Sequence, residues 1–157
     1  DVSMGPVVDE AITLLRSLAH DKGIEIKNET HDMRTLHVDE LRIQQLFMNI
    51  IGNAIKFTEQ GTIKIFNHCD DTGCHISIAD TGIGMTNEQI VLALEPFQQV
   101  HGHSFARRYQ GTGLGLSLCQ RIMELHGGKL TIQSELHVGT TIMLSFPIDT
   151  ERKRRNS

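Results

Sequence analysis

Apolar residues recur along this chain in two rhythms, one helical and one alternating. Val7, Val8, Ala11, Ile12, Leu14, Leu15 and Leu18 keep the helical spacing, with Pro6 in the first turn and Gly23 at the end. Residues 24–27 alternate like a strand, and 34–38 form a second candidate. Asp39 is placed to cap a long helix running to about Lys56. Residues 61–69 and 73–79 predict a hairpin, with alternating Ile63, Ile65, Ile76 and Ile78 around the turn Asp70-Asp71-Thr72-Gly73. A short helix at 87–94 precedes a stretch, 98–110, that has no clean period. A helix at 114–126 then ends at Gly127-Gly128. Strands at 129–134 and 140–146 close the pattern before Pro147. Helices and strands mix without strict βαβ alternation, which predicts an α/β two-layer sandwich of a mixed sheet and three main helices. One domain over 1–148 and a short tail over 149–157 account for the whole length.

One predicted helix is unusual. On a wheel of ~100° per residue, Ile43, Leu46, Phe47, Ile50, Ile51, Ala54, Ile55 and Phe57 cover well over half its circumference. Arg42, Gln45, Asn49, Asn53 and Lys56 fall in one narrow stripe. An unpaired buried amide costs roughly 1–3 kcal/mol, so these groups need partners. Either the stripe faces water or it lines a polar ligand cleft. In a cleft, asparagine oxygens can ligate Mg²⁺ and the lysine can reach a phosphate.

Composition changes this picture little. The 157 residues are 39% hydrophobic and 22% charged, with no tryptophan and one tyrosine, so the core is built from Ile, Leu, Val and Met. A net charge of −4 gives no electrostatic case for a nucleic-acid partner. The basic run Arg152-Lys153-Arg154-Arg155 reads as a solvated tail or linker. No apolar run reaches the ~18 residues of a membrane span, so no membrane contact is expected of this chain. Cys69, Cys74 and Cys119 lack metal-ligand spacing and read as reduced thiols of a cytoplasmic protein. The opening Asp1-Val2-Ser3 has no lead-in, as in a domain cut from something longer.

Two glycine clusters add chemistry. Asp80-Thr81-Gly82-Ile83-Gly84-Met85 joins a strand to a helix; its carboxylate can accept from an exocyclic amine, and its glycines let backbone approach a ligand. Gly111-Thr112-Gly113-Leu114-Gly115-Leu116 opens a helix, so its amides could hold phosphate. A dinucleotide fingerprint is excluded, because it needs glycine where Leu116 stands, and no P-loop Gly-Lys-Ser/Thr follows.

In this order and spacing the segments resemble the gyrase, chaperone, histidine kinase and MutL ATPase superfamily, and within it the histidine kinases. Asn49-x3-Asn53-Ala54-x-Lys56-Phe57-Thr58 resembles the N box and Asp80-x-Gly82-x-Gly84 the G1 box. Glu95-Pro96-Phe97 resembles the F box and the cluster at 111–116 the G2 box, while Gly139-Thr140-Thr141 after Gly127-Gly128 fits the kinase pattern. The resemblance implies the Bergerat-type fold, with Mg-ATP between the long helix and a lid over the aperiodic stretch. It implies that Asn49 and Asn53 hold Mg²⁺ and phosphates, that Lys56 meets a phosphate, and that Asp80 reads the adenine amine. Phe57, Ile83 and Met85 would wall the adenine, and Gly82 and Gly84 would shape its loop. Gly111, Thr112, Gly113, Leu114, Gly115 and Leu116 would cradle phosphates. Arg107 and Arg108 are candidates for the γ-phosphate, with solvated lid charges as the other reading. Two departures stand out: Leu94 replaces the first F-box aromatic, and His137 stands where a glycine is common. By this reading neither touches the nucleotide.

Hydrolysing members of the superfamily place a glutamate at the position of Asn49, where it activates water. An amide cannot accept that proton, so Asn49, with Lys56, favours phosphotransfer over hydrolysis. The family's acceptor histidine sits on a separate helical dimerisation domain and is followed by an acidic residue and a proline. None of the nine histidines has that setting; His20-Asp21 comes nearest, and His101 and His103 fall in the lid. The resemblance therefore implies an acceptor domain before Asp1 and a response regulator receiver as partners in two-component signalling. A degenerate kinase domain that signals without catalysis is the remaining alternative.

Overall fold

Isoleucine at alternate positions of two consecutive segments builds the centre of the main sheet. In the computed structural model, which describes residues 1–95 and 115–148, these segments are β4 (Gly61–Cys69) and β5 (Gly73–Asp80). Ile63, Ile65, Ile76 and Ile78 are buried, while the intervening Lys64, Phe66 and His68 of β4 are exposed. Period-two patterning thus gives β4 one covered and one wet face, while the second face of β5 is more enclosed, with Ser77 buried. The sheet is completed by β2 (Ile24–Asn28), β6 (Lys129–Glu135) and β7 (Gly139–Pro147), in the order β2-β4-β5-β7-β6. The β2–β4 pair is parallel and the other three are antiparallel, so the sheet is mixed as expected.

Helices α1 (Met4–Asp21), α2 (Glu40–Phe57) and α4 (Gly115–Leu125) form the second layer, and the short α3 (Asn87–Leu94) packs on α4. The core between the layers contains Met4, Ile12, Phe47, Ile50, Leu144 and Phe146. Helix α2 starts where expected: the Asp39 carboxylate accepts from the Arg42 N–H at 3.3 Å. Thr86 and Gln89 close a reciprocal capping box that fixes the start of α3. Among the described residues no helix is long and apolar enough to cross a membrane.

Helix α1 begins at Met4, so Pro6 lies in the first turn as expected, where N–H groups have no intrahelical acceptor. Two expectations change. The strand expected over 34–38 shortens to β3 (Thr35–Leu36) and pairs with β1 (Val2–Ser3) in a separate two-stranded sheet, because the chain must turn into the α2 cap at Asp39. Cys69 and Cys74, read from sequence as reduced thiols, are joined in a disulfide. The hairpin register explains this. The Asp70 N–H donates to Gly73 O, so the next pair outward, Cys69 opposite Cys74, is a non-hydrogen-bonded one. Such pairs bring side chains closest, and the Cα atoms lie 4.1 Å apart. Asp70 holds the turn by accepting from Thr72 N, Thr72 Oγ1 and Gly73 N, bonds that pull its pKa down to about 2.

Neighbouring positions of β4 should respond very differently to truncation. Ile65→Ala should destabilise by about 2–5 kcal/mol, through lost burial and a residual cavity. Lys64→Ala, which removes only an exposed ion pair at 3.8 Å with Glu29, should stay within about 0.5 kcal/mol. Urea titration of the two variants measures both.

Candidate functional site

The polar stripe on α2 divides along its length. Arg42 and Gln45, near the start, are exposed and bond to each other at 3.4 Å. Asn49, Asn53 and Lys56 are half-buried on a helix whose Ile43, Leu46, Phe47, Ile50, Ile51, Ala54 and Ile55 are fully packed. What lies over them is the start of α4. A Cβ on Gly115 would sit 3.2 Å from Asn53 Nδ2, and one turn on the buried Cys119 donates to Leu46 O of α2 at 3.9 Å. Burial lowers the pKa of Lys56, whose ammonium also lies 5.7 Å from the centre of the Phe57 ring.

The end of α2 and the end of β5 meet at one junction. The Ile83 N–H donates to Phe57 O at 3.1 Å, which docks the loop after β5 against the last turn of α2. Gly82 and Gly84 make the docking possible. A Cβ on Gly82 would strike Phe57 O and lie 2.9 Å from both Asp80 Oδ1 and Thr58 Oγ1. Gly84 has φ +68°, and its Cβ would run into Glu135 O. The sequence suggests that these glycines admit a ligand; the close approaches they allow here are to the protein's own backbone, and those approaches form the loop.

Asp80 stands at the mouth of this junction. Its Oδ1 accepts from Gly82 N at 2.9 Å and from Thr140 N at 3.2 Å. Among the described residues no hydrogen bond falls on Oδ2. Burial pushes the Asp80 pKa up, and the two N–H bonds offset this only in part. Beside it the Thr58 hydroxyl is fully buried and has no hydrogen-bond partner among the described residues. A buried orphan oxygen next to a half-buried carboxylate fits a site that a polar ligand or ordered water completes.

Several residues that hold the site carry weak sequence signals. Ser134 Oγ accepts from Met85 N at 2.7 Å, donates to Gly139 O at 3.1 Å and lies 2.7 Å from Thr140 Oγ1. Ser134 continues the register of Leu130 and Ile132, and Thr140 that of Ile142, Leu144 and Phe146, so each is a hydroxyl in an apolar slot. That mismatch is a legible signal. His137, discounted in the sequence, is in contact with the loop: it has φ +66°, and its N–H donates to Ile83 O at 2.6 Å.

The structure brings Asn49, Asn53, Lys56, Phe57, Asp80, Gly82, Ile83, Gly84, Met85 and Gly115 to one edge of the α2–sheet interface. Ile83 and Met85 are half-buried. The Leu116 side chain belongs to the hydrophobic core, so this residue can offer a ligand only its backbone. Pro96, Phe97, His101, His103, Arg107, Arg108, Gly111, Thr112, Gly113, Leu114 and the basic run at 152–155 lie outside the described residues. No group of three or more His, Cys, Asp or Glu side chains among the described residues could hold a metal. Any cation here would rely on amide oxygens and on ligand phosphates, the usual donor set for Mg²⁺.

Comparison with known proteins agrees with the fold. Residues 38–150 match the family described as Histidine kinase-, DNA gyrase B-, and HSP90-like ATPase. The signal transduction histidine-protein kinase BarA of Escherichia coli (strain K12) is 37% identical over 151 residues, which cover 90% of this chain and 16% of that protein. The chain spans about a quarter or less of the length of the curated relatives it matches. The crystal structure of full-length ShkA in complex with AMPPNP superposes with a TM-score of 0.79 at 31% identity, covering 93% of this chain and 30% of that one. The catalytic domain of the histidine kinase ThkA gives a TM-score of 0.79 at 28% identity, covering 93% of both chains.

A partly buried carboxylate with a raised pKa costs stability once it ionises. The sign is that of a raised acid: Asp80 favours the fold below its ordinary pKa, and this is lost as pH rises through the folded-state value. Asp80→Asn keeps an oxygen that can accept from Gly82 and Thr140 and removes the charge. It should therefore raise the melting temperature at pH 7, with the gain shrinking as pH falls toward 3, as read by differential scanning calorimetry.

Proposed function

Because the chain belongs to the histidine kinase-, DNA gyrase B- and HSP90-like ATPase family and is the catalytic ATPase domain of a sensor histidine kinase, we propose that it binds Mg-ATP at the α2–β5 junction. It then passes the γ-phosphoryl group to a histidine on a separate helical domain. The observation that carries this is the half-buried row Asn49, Asn53 and Lys56 opening beside the half-buried Asp80, whose Oδ2 accepts no hydrogen bond among the described residues. Asp80 Oδ2 accepts from the exocyclic amine of adenine, between Phe57, Ile83 and Met85. Lys56 meets a phosphate, and its lowered pKa reflects a cation kept partly dry for that purpose.

Asn49 and Asn53 would hold Mg²⁺ through their amide oxygens. When bound, the cation neutralises phosphate charge. The described residues around α2 position the substrate and leave proton abstraction to other groups. The amide of Asn49 cannot act as a general base, so water near the γ-phosphate goes unactivated. Transfer needs in-line alignment with an acceptor nitrogen, and none of the nine histidines of this chain has an acidic residue and a proline in the acceptor arrangement. The acceptor domain and a response regulator receiver are the partners this reading requires. Gly111, Thr112, Gly113, Leu114, Gly115 and the Leu116 backbone, with Arg107 and Arg108, belong to the phosphate end of the same proposal.

Removing the second amide should weaken binding without unfolding the domain. Asn53→Ala should lower Mg-ATP affinity at least about tenfold, measured by titration calorimetry; unchanged affinity would remove Asn53 from the site. With γ-labelled ATP, the chain alone should stay unlabelled and release phosphate very slowly. Adding a kinase dimerisation domain that carries the acceptor histidine should give acid-labile, base-stable label on that domain. Brisk phosphate release by the isolated chain would favour an ATPase instead. Intact ATP binding with no label on the acceptor would favour a signalling domain without catalysis.

A further inference from the structure

Three polar residues stand side by side at one end of the sheet. Asp80 of β5 pairs with Thr140 of β7, and Thr140 pairs with Ser134 of β6. The hydrogens in this row can be counted. Ser134 Oγ lies 2.7 Å from Met85 N, 3.1 Å from Gly139 O and 2.7 Å from Thr140 Oγ1. The Met85 N–H can only donate and Gly139 O can only accept, while a serine hydroxyl has one proton and two lone pairs. If that proton goes to Thr140, Gly139 O loses it, and the Thr140 proton has no acceptor among the described residues. If it goes to Gly139 O, the Thr140 hydroxyl donates to Ser134 and all three contacts are made. Enclosed polar groups take the arrangement that leaves the fewest unpaired. The chain of hydroxyls therefore runs from Thr140 to Ser134 to Gly139 O.

With its proton committed to Ser134, Thr140 Oγ1 keeps only lone pairs. Its backbone N–H is committed too, to Asp80 Oδ1 at 3.2 Å. What remains on these two residues for a ligand is a pair of acceptors, Asp80 Oδ2 and Thr140 Oγ1. We propose that Ser134 is a positioning residue that sets base specificity: by taking the Thr140 proton it keeps this end of the site acceptor-only, which selects a base with an amino group there and rejects one with a carbonyl. Ser134 acts through Thr140 and touches no ligand itself. An untethered Thr140 hydroxyl can rotate and donate to a carbonyl, and Ser134 removes that option. This rests on the reading that Asp80 meets the adenine amine, and it gives the exclusion of other bases to a residue two strands away.

The test compares ATP with inosine triphosphate, which carries a carbonyl where ATP carries the amine. Affinities are measured by titration calorimetry in excess Mg²⁺, and the ratio of the two is the readout. The unmodified chain should prefer ATP at least about tenfold. In Ser134→Ala the preference should shrink about fivefold, mainly through tighter binding of inosine triphosphate, while inorganic triphosphate, which has no base, binds as before. Ser134→Thr, which keeps a hydroxyl, should retain the preference. In a Thr140→Val background there is no hydroxyl to turn, so adding Ser134→Ala should leave the ratio where it was. A serine that merely held the Met85 loop would weaken ATP binding and lower the ratio in both backgrounds, and that result overturns the inference. An unchanged ratio in folded Ser134→Ala overturns it too, while leaving adenine recognition by Asp80 intact. Equal affinities in the unmodified chain overturn both this inference and the reading beneath it. If Ser134→Ala fails to fold, nuclear magnetic resonance of the unmodified chain decides. The Thr140 hydroxyl proton should exchange slowly enough to be seen, with a nuclear Overhauser contact to the Ser134 β protons, and rapid exchange sinks the proposal.

Discussion

A helix buried over most of its circumference can carry amides and a lysine only where something other than bulk water satisfies them. Helix α2 meets this constraint by running its polar row along the seam with α4. There Asn49, Asn53 and Lys56 stay half-buried, neither packed away nor fully open to water. A fully satisfied row would be a structural network with no capacity to bind, and a fully exposed one would hold no orientation. Everything else in the fold serves that compromise. The sheet buries the opposite side of α2, and the loop after β5 closes against its last turn through the Ile83–Phe57 bond.

Much of this was legible in the sequence because it depends on local rules. The alternating isoleucines gave the β4–β5 hairpin, Asp39 gave the start of α2, and the 87–94 helix matched residue for residue. The polar stripe was visible on the wheel before any partner was known. Its division into an exposed start and a half-buried end was not, since that depends on where α4 lies, which helical periodicity does not encode. The same limit hid the length of β3, decided by the competing turn into α2, and the pairing of Cys69 with Cys74, decided by hairpin register. The role of Gly82 and Gly84 was half-legible. Glycine marks a close approach, but sequence cannot say whether a ligand or the protein's own carbonyls come close.

The support of the site was the least legible part. Ser134, Thr140 and Thr58 are single hydroxyls in otherwise apolar positions, and each looks conservative beside its neighbours. The Ser134 hydroxyl takes the Met85 N–H and meets the Thr140 hydroxyl, while the Thr140 backbone N–H reaches Asp80. Such residues are found by asking which slots of an alternating strand break the apolar rule, a question the motif resemblance never poses.

The register of the central strand carries a consequence of its own. Asp80 faces Ile63 on one side and Thr140 on the other, and it is the last residue of β5 before the loop. Side chains along a strand alternate between faces, so a slip of one residue would carry this carboxylate to the opposite surface of the sheet. The sheet therefore works as an index. The identity of the group at the end of β5 is held by pairings far from it: the Cys69–Cys74 bridge at the turn and the β7 partners along the other edge keep the count that puts Asp80 on this face.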